Sequence, residues 1–124
     1  MLKYERIRTW RVAHELAKEV YEATRSFPKD ERFGLTAQMR RAALSAPTNM
    51  IEGVAKRGSA ELRRFLDIAW GSLAELWYQL LFSEEMGYLK HAERARLERM
   101  RRQAAQLTWA WMQTLTKRTP GPRS

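Results

Sequence analysis

The chain has 124 residues and carries 23 Lys and Arg against 14 Asp and Glu, a formal net charge of +9. That length suits one domain, and a 44% hydrophobic content is enough for one core. The absence of Cys excludes disulfides, thiolate chemistry and Cys-ligated zinc, while charge interspersed from the first residues and apolar runs well short of ~18 residues point to a soluble, cytoplasmic protein with no membrane partner.

A helical period recurs in four blocks, predicted over residues 8–25, 35–56, 60–86 and 91–116. In the first, Trp10, Ala13, Ala17, Val20, Tyr21 and Thr24 share one side. Pro28 and Gly34 then mark a loop. The second block places Leu35, Met39, Ala42, Ala43, Ala46, Met50 and Val54 on one stripe, small enough for a close neighbour. Pro47 lies inside it and removes a backbone donor opposite the carbonyl of Ala43, so the helix either kinks or splits. The stripe resumes in phase after Pro47, which favours a kink. Ser59 is placed to cap the third helix, with Glu61 in its first turn.

The third block is the longest, with Leu62, Phe65, Leu66, Ala69, Leu73, Leu76, Trp77 and Leu80 in phase, and Gly87 stands where a C′ glycine closes a helix. In the fourth, Leu97, Met100, Ala104, Leu107, Trp111 and Leu115 follow spacings of three and four. Short loops place consecutive helices antiparallel. The fold class is therefore all-α, an up-down-up-down four-helix bundle with a kinked second helix, over residues 1–116. Residues 117–124 read as a basic flexible tail.

The third helix carries a second face. At about 100° per residue, Arg64, Ile68, Gly71, Glu75, Tyr78 and Phe82 fall together opposite the first stripe. Glycine in a helix interior costs about 1 kcal/mol relative to Ala, which makes sense where another helix crosses closely. Either neighbouring helices of the same chain cover this face or it is a subunit interface; the second is favoured. Arg41, Ser45, Asn49, Glu52 and Lys56 form an off-stripe row on the second helix. It is either a wet face or a polar network in which Ser45 or Asn49 serves backbone groups loosened by Pro47. Trp109 lies well off the fourth stripe beside Arg102, suited either to stacking on a base or to burial against another subunit.

Catalytic chemistry finds no footing. His14 and His91 stand alone, without a second His three or four residues away, so no metal site is expected. No Ser–His–carboxylate pattern, phosphate-binding loop or cofactor motif is present, and the expectation is a non-enzyme without cofactors. Basic pairs are the recurring feature. Residues 1–62 carry 12 basic and 8 acidic side chains and residues 63–124 carry 11 and 6, so the charge is spread along the whole body. Arg40, Lys56, Arg57, Arg63, Arg94, Arg99, Arg101 and Arg102 are the candidate phosphate contacts to RNA or DNA. Arg41 and Arg64 are assigned instead to pairing within or between subunits. The alternative is a protein–protein scaffold, with a protein partner and incidental charge.

The segments FPKDERFGL, RRAA followed by Ser45, Pro47, Asn49, Glu52 and Gly53, and Ile68-Ala69 with Gly71, Ser72, Leu73 and Glu75 resemble a known family. These are the four-helix-bundle proteins named after intervening sequences in bacterial 23S ribosomal RNA genes. Their superfamily includes the accessory variability determinants of diversity-generating retroelements, which bind nucleic acid and a reverse transcriptase. The likeness spans about residues 4–115, and the SAPTNMIEG segment looks more like the intervening-sequence branch. The resemblance implies an uninterrupted, kinked second helix and a ring-shaped homopentamer with a basic surface. It also implies that Asn49, Glu52 and Glu75 are structural polar residues at helix contacts. The interface set is then Arg64, Ile68, Gly71, Glu75, Tyr78, Phe82 and Trp109.

Overall fold

The computed structural model describes the backbone of residues 3–118 and the side chains as far as Leu115. Among the described residues there are four α-helices: α1 (Lys3–Ala23), α2 (Leu35–Ala55), α3 (Ser59–Glu85) and α4 (His91–Arg118). Two 3₁₀ turns, Thr24–Ser26 and Lys29–Glu31, carry the chain from α1 to α2. Helix α1 begins five residues before its predicted start, because nothing between Lys3 and Arg8 breaks a helix. Lys117 and Arg118, assigned to the tail, continue α4; the rest of that segment lies outside the described residues.

The core is a column of Leu and Met with Ala between. Leu16, Val20, Met39, Leu66, Leu73, Leu76, Leu80 and Leu97 are wholly buried. Ala42, Ala43 and Ala46 let α3 lie close to α2. The approach is tightest at Gly53, where a methyl would sit 2.9 Å from both Leu62 Cδ1 and Phe65 Cβ. Helix α2 runs unbroken through Pro47, which is itself buried.

Contacts along the α2–α3 seam nest, with Gly53 against Leu62, Ser45 bonded to Ser72 at 2.8 Å, and Ser83 on the Met39 sulfur at 3.3 Å. Sequence positions thus rise on one helix as they fall on the next. The other seams also have polar ties. Arg40 donates to Thr24 Oγ1 (2.8 Å) and to the Tyr21 carbonyl (3.1 Å) between α2 and α1. Arg94 meets Glu84 at 2.7 Å between α4 and α3, and Arg96 meets Glu19 at 2.9 Å between α4 and α1.

Both helix ends at the loops depend on glycine. Gly87 has φ +80; its N–H bonds to the Glu84 carbonyl and that of Tyr88 to Ser83, so the last carbonyls of α3 are satisfied as predicted. At the other end the N-cap is Gly58, with φ +89, and Ser59 is already inside the helix without capping it. A left-handed backbone was needed to turn from α2 into α3, and glycine supplies it without the steric cost of a Cβ.

Three core assignments change. Tyr21 is 38% exposed, Trp77 46% and Val54 50%, although all three were placed on buried stripes. Each lies at the edge of its stripe, where coverage depends on the angle of the neighbouring helix rather than on period. The off-stripe row on α2 also divides. Asn49 Nδ2 donates to the carbonyl (2.9 Å) and hydroxyl (3.0 Å) of Ser45, which Ser72 meets from α3. These bonds run to Ser45, not to the Ala43 carbonyl that Pro47 leaves without its usual donor. Glu52 is exposed and stays outside this network, so a helix-contact role is not its place in the fold.

Candidate nucleic-acid interface and subunit face

The corner between α2 and α3 concentrates cations because a short loop separates two helix ends rich in them. Lys56 Nζ lies 5.3 Å and the Arg64 guanidinium 4.8 Å from the centroid of the Phe65 ring. Arg64 also pairs with Glu61 at 3.2 Å, on its own helix. Arg57 is exposed and Arg63 half-buried, and neither joins an ion pair among the described residues.

The cations of α4 are unequal. Arg101 grips Glu98 with two bonds, Nε to Oε1 at 2.7 Å and Nη2 to Oε2 at 2.8 Å, and reaches the Leu73 carbonyl at 3.4 Å. The two side chains are only 12% and 8% exposed. Arg102 stands 3.7 Å from the same carboxylate with 61% of its side chain exposed. Arg99 is exposed without an ion pair among the described residues. The eight candidate phosphate contacts therefore fall into two groups. Arg40, Arg94 and Arg101 are held in bonds that tie the bundle, and such side chains must break those bonds to meet a phosphate. Lys56, Arg57, Arg63, Arg99 and Arg102 keep their charged ends available.

At the α3–α4 turn, Glu84 accepts from Arg94 Nε and lies 2.8 Å from His91 Nδ1. The Arg94 bond first, and the His91 bond next, hold its carboxyl below the usual carboxylate range. A depressed carboxyl pKa adds stability above its unfolded value and loses it as pH falls through the folded value. Glu84→Gln is therefore expected to flatten the acid side of the stability curve: wild type exceeds the variant near neutrality, and the difference closes in acid, as urea melts across pH would read.

Apolar surface remains open on α3 and beside α1. On α3, Ile68 (43%) and Tyr78 (58%) are exposed, Phe82 is half-buried 6.2 Å from the Tyr78 ring, and a methyl at Gly71 would meet nothing within 4 Å. Among the described residues no helix crosses at Gly71, so the intrachain explanation fails at that glycine. Arg64 and Glu75 flank it, Glu75 accepting from Gln79 at 3.2 Å. A groove of about 390 Å³ between the start of α1 and the end of α2 is lined by Ile7, Trp10, Ile51 and Val54, with Lys3 and Arg6 among its walls. Sequence reasoning missed this groove, although Ile51 and Val54 close to the end of α2, just before an exposed loop, were a signal.

Trp109 differs from the rest of the predicted interface set. Its ring meets that of Trp70 at 5.5 Å, so it lies over the α3–α4 seam rather than on the Ile68–Phe82 face. Among the described residues no group of three His, Asp or Glu could hold a metal ion, and no helix is long and apolar enough to cross a membrane.

No curated protein matches the chain. A crystal structure of a protein of unknown function, from the S23 ribosomal protein family of Bacteroides thetaiotaomicron, superposes with a TM-score of 0.80. It is 16% identical, and the match covers 88% of this chain and 98% of that one, a likeness of fold. The model of the 23S rRNA-intervening sequence proteins matches residues 5–109, from the first turn of α1 well into α4. With the quoted motifs lying inside that span and the bundle they implied now described, the chain belongs to the 23S rRNA-intervening sequence protein family.

Proposed function

We propose that this protein is a non-enzymatic, cytoplasmic homo-oligomer, a pentamer as the resemblance implies, that binds nucleic acid through phosphate contacts. The supporting observation is the set of cations left without carboxylate partners, Lys56, Arg57, Arg63 and Arg99, together with the exposed Arg102, on a body of net charge +9. Contacts of this kind release counterions, so affinity falls steeply with salt and carries no sequence preference. The open Ile68–Tyr78 face and the α1–α2 groove are the surfaces on which copies would meet. They lie on different helices, as a head-to-tail contact that closes into a ring requires.

The test combines light scattering with RNA and DNA binding across a salt series. A particle of about five times the 14.6 kDa chain, with affinity that collapses in high salt, is the expected result. Reversing Arg57, Arg63, Arg99 and Arg102 together to Glu is expected to lower affinity at least about a hundredfold while the particle mass stays unchanged. Normal binding by that variant would overturn the site assignment. The apolar groove favours one other reading, a protein–protein scaffold. Such a protein keeps its partner at high salt and ignores nucleic acid.

A further inference from the structure

Trp70 and Trp109 meet on the α3–α4 seam, Trp77 shares the Trp70 side of α3, and neither the core nor the Ile68–Phe82 face uses these three of the five tryptophans. Trp70 and Trp77 are seven residues apart, so they leave α3 on one side, about 10.5 Å from each other along the axis. Trp109 comes from α4, its ring tilted 48° to that of Trp70. They are 36%, 46% and 46% exposed, partly held by the bundle and partly open. The same seven-residue step places cations in both rows. Arg63 precedes Trp70 on α3, and Arg102 precedes Trp109 on α4. Because positions on the two helices run oppositely, Arg63 stands toward one end of the seam and Arg102 toward the other, level with Trp77, with Trp70 and Trp109 between them.

The charge is not cancelled locally. Arg63 has no ion pair among the described residues, and the one carboxylate near Arg102, Glu98, is already gripped by Arg101. An aliphatic strip would suit a like-charged second copy of the chain better than indoles flanked by Arg63 and the largely exposed Arg102. Indoles stack on the flat faces of bases and guanidiniums take the phosphates, a pairing that serves single strands because a duplex hides its base faces.

We infer that Trp70, Trp77 and Trp109, with Arg63 and Arg102 at their ends, form a base-stacking platform that selects single-stranded nucleic acid. This rests on the nucleic-acid reading above and adds the class of strand to it. The experiment measures fluorescence anisotropy of labelled strands of about twelve nucleotides, long enough to cover the seam. The probes are a single strand, an abasic strand of equal length, and the matching duplex. Wild-type protein is expected to prefer the single strand to both others. Trp77→Leu and Trp109→Leu are each expected to weaken it about tenfold, while the abasic strand and duplex change little.

Equal wild-type affinity for the abasic strand overturns the platform without needing any variant to fold. Variants that keep full single-strand affinity overturn it too. Variants with a smaller particle mass would make the seam a subunit contact instead. If the duplex and abasic strand bind with steep salt dependence and the indoles do not matter, the platform falls and the phosphate-contact reading stands. If no probe binds, both fall.

Discussion

Arg101→Ala is expected to destabilise the bundle by about 3 kcal/mol, the lower end of what removing one partner from a buried ion pair costs. The side chain is 12% exposed and both of its bonds to Glu98 are short, with Glu98 itself only 8% exposed. Without the guanidinium, that carboxylate keeps only Arg102 at 3.7 Å, mostly in solvent. The Leu73 carbonyl also loses a donor. Arg102→Ala removes a solvent-screened partner and should cost less than about 1 kcal/mol. Urea melts of the two variants decide the matter. A loss under 1 kcal/mol for Arg101 would return it to the set of available phosphate contacts. Replacing Arg101 and Glu98 together with Met and Leu is expected to restore most of the stability, because the buried charge disappears with its partner.

Leu76→Ala is expected to cost about 3 kcal/mol, and its neighbour Trp77→Ala much less per atom removed. Leu76 is wholly buried, so truncation leaves a void that surrounding Leu and Met side chains fill only in part. Trp77 is 46% exposed, and solvent replaces much of what its ring touches. Paired melts of the two variants measure the difference directly. Similar losses would mean that the edge of the α3 stripe is as tightly covered as its centre.

That contrast also marks how far the sequence could be read. The centres of the apolar stripes, Leu66, Leu73, Leu76 and Leu80 above all, follow from period, and Gly87 followed from its place after the stripe. Stripe edges did not, because Trp77 and Val54 sit where the lateral position of another helix decides burial. The Ser59 cap failed for a different reason. The turn from α2 needed a positive φ, and that requirement put Gly58 at the cap position instead.

At the candidate site, the basic pairs were visible but their bonding was not. Glu98 with Arg101 and Arg102 lies at spacings a helix brings together, and could have been weighed from sequence. Glu84 with Arg94 spans a turn, and Glu19 with Arg96 spans most of the chain. Only the packed bundle shows which cations those carboxylates remove from the surface. Trp70 drew no attention because it sits between two stripes, and Trp109 in this chain explains it.

The buried hydroxyls have a consequence for alignment. Thr9 and Thr108 each bond a carbonyl four residues back on their own helix. Such bonds travel with the helix and say nothing about where it stands beside another. A core of Leu, Met and Ala is also tolerant of a one-turn slip of about 5.4 Å, since each step brings similar side chains opposite one another. Axial register is therefore set by the bonds that cross the seams, among them Arg40 on Thr24, Ser45 on Ser72, Ser83 on Met39, Glu84 on Arg94, Arg101 on the Leu73 carbonyl and Glu19 on Arg96. Each seam has its own lock, and a slip along any one of them strands a polar group that the aligned bundle satisfies.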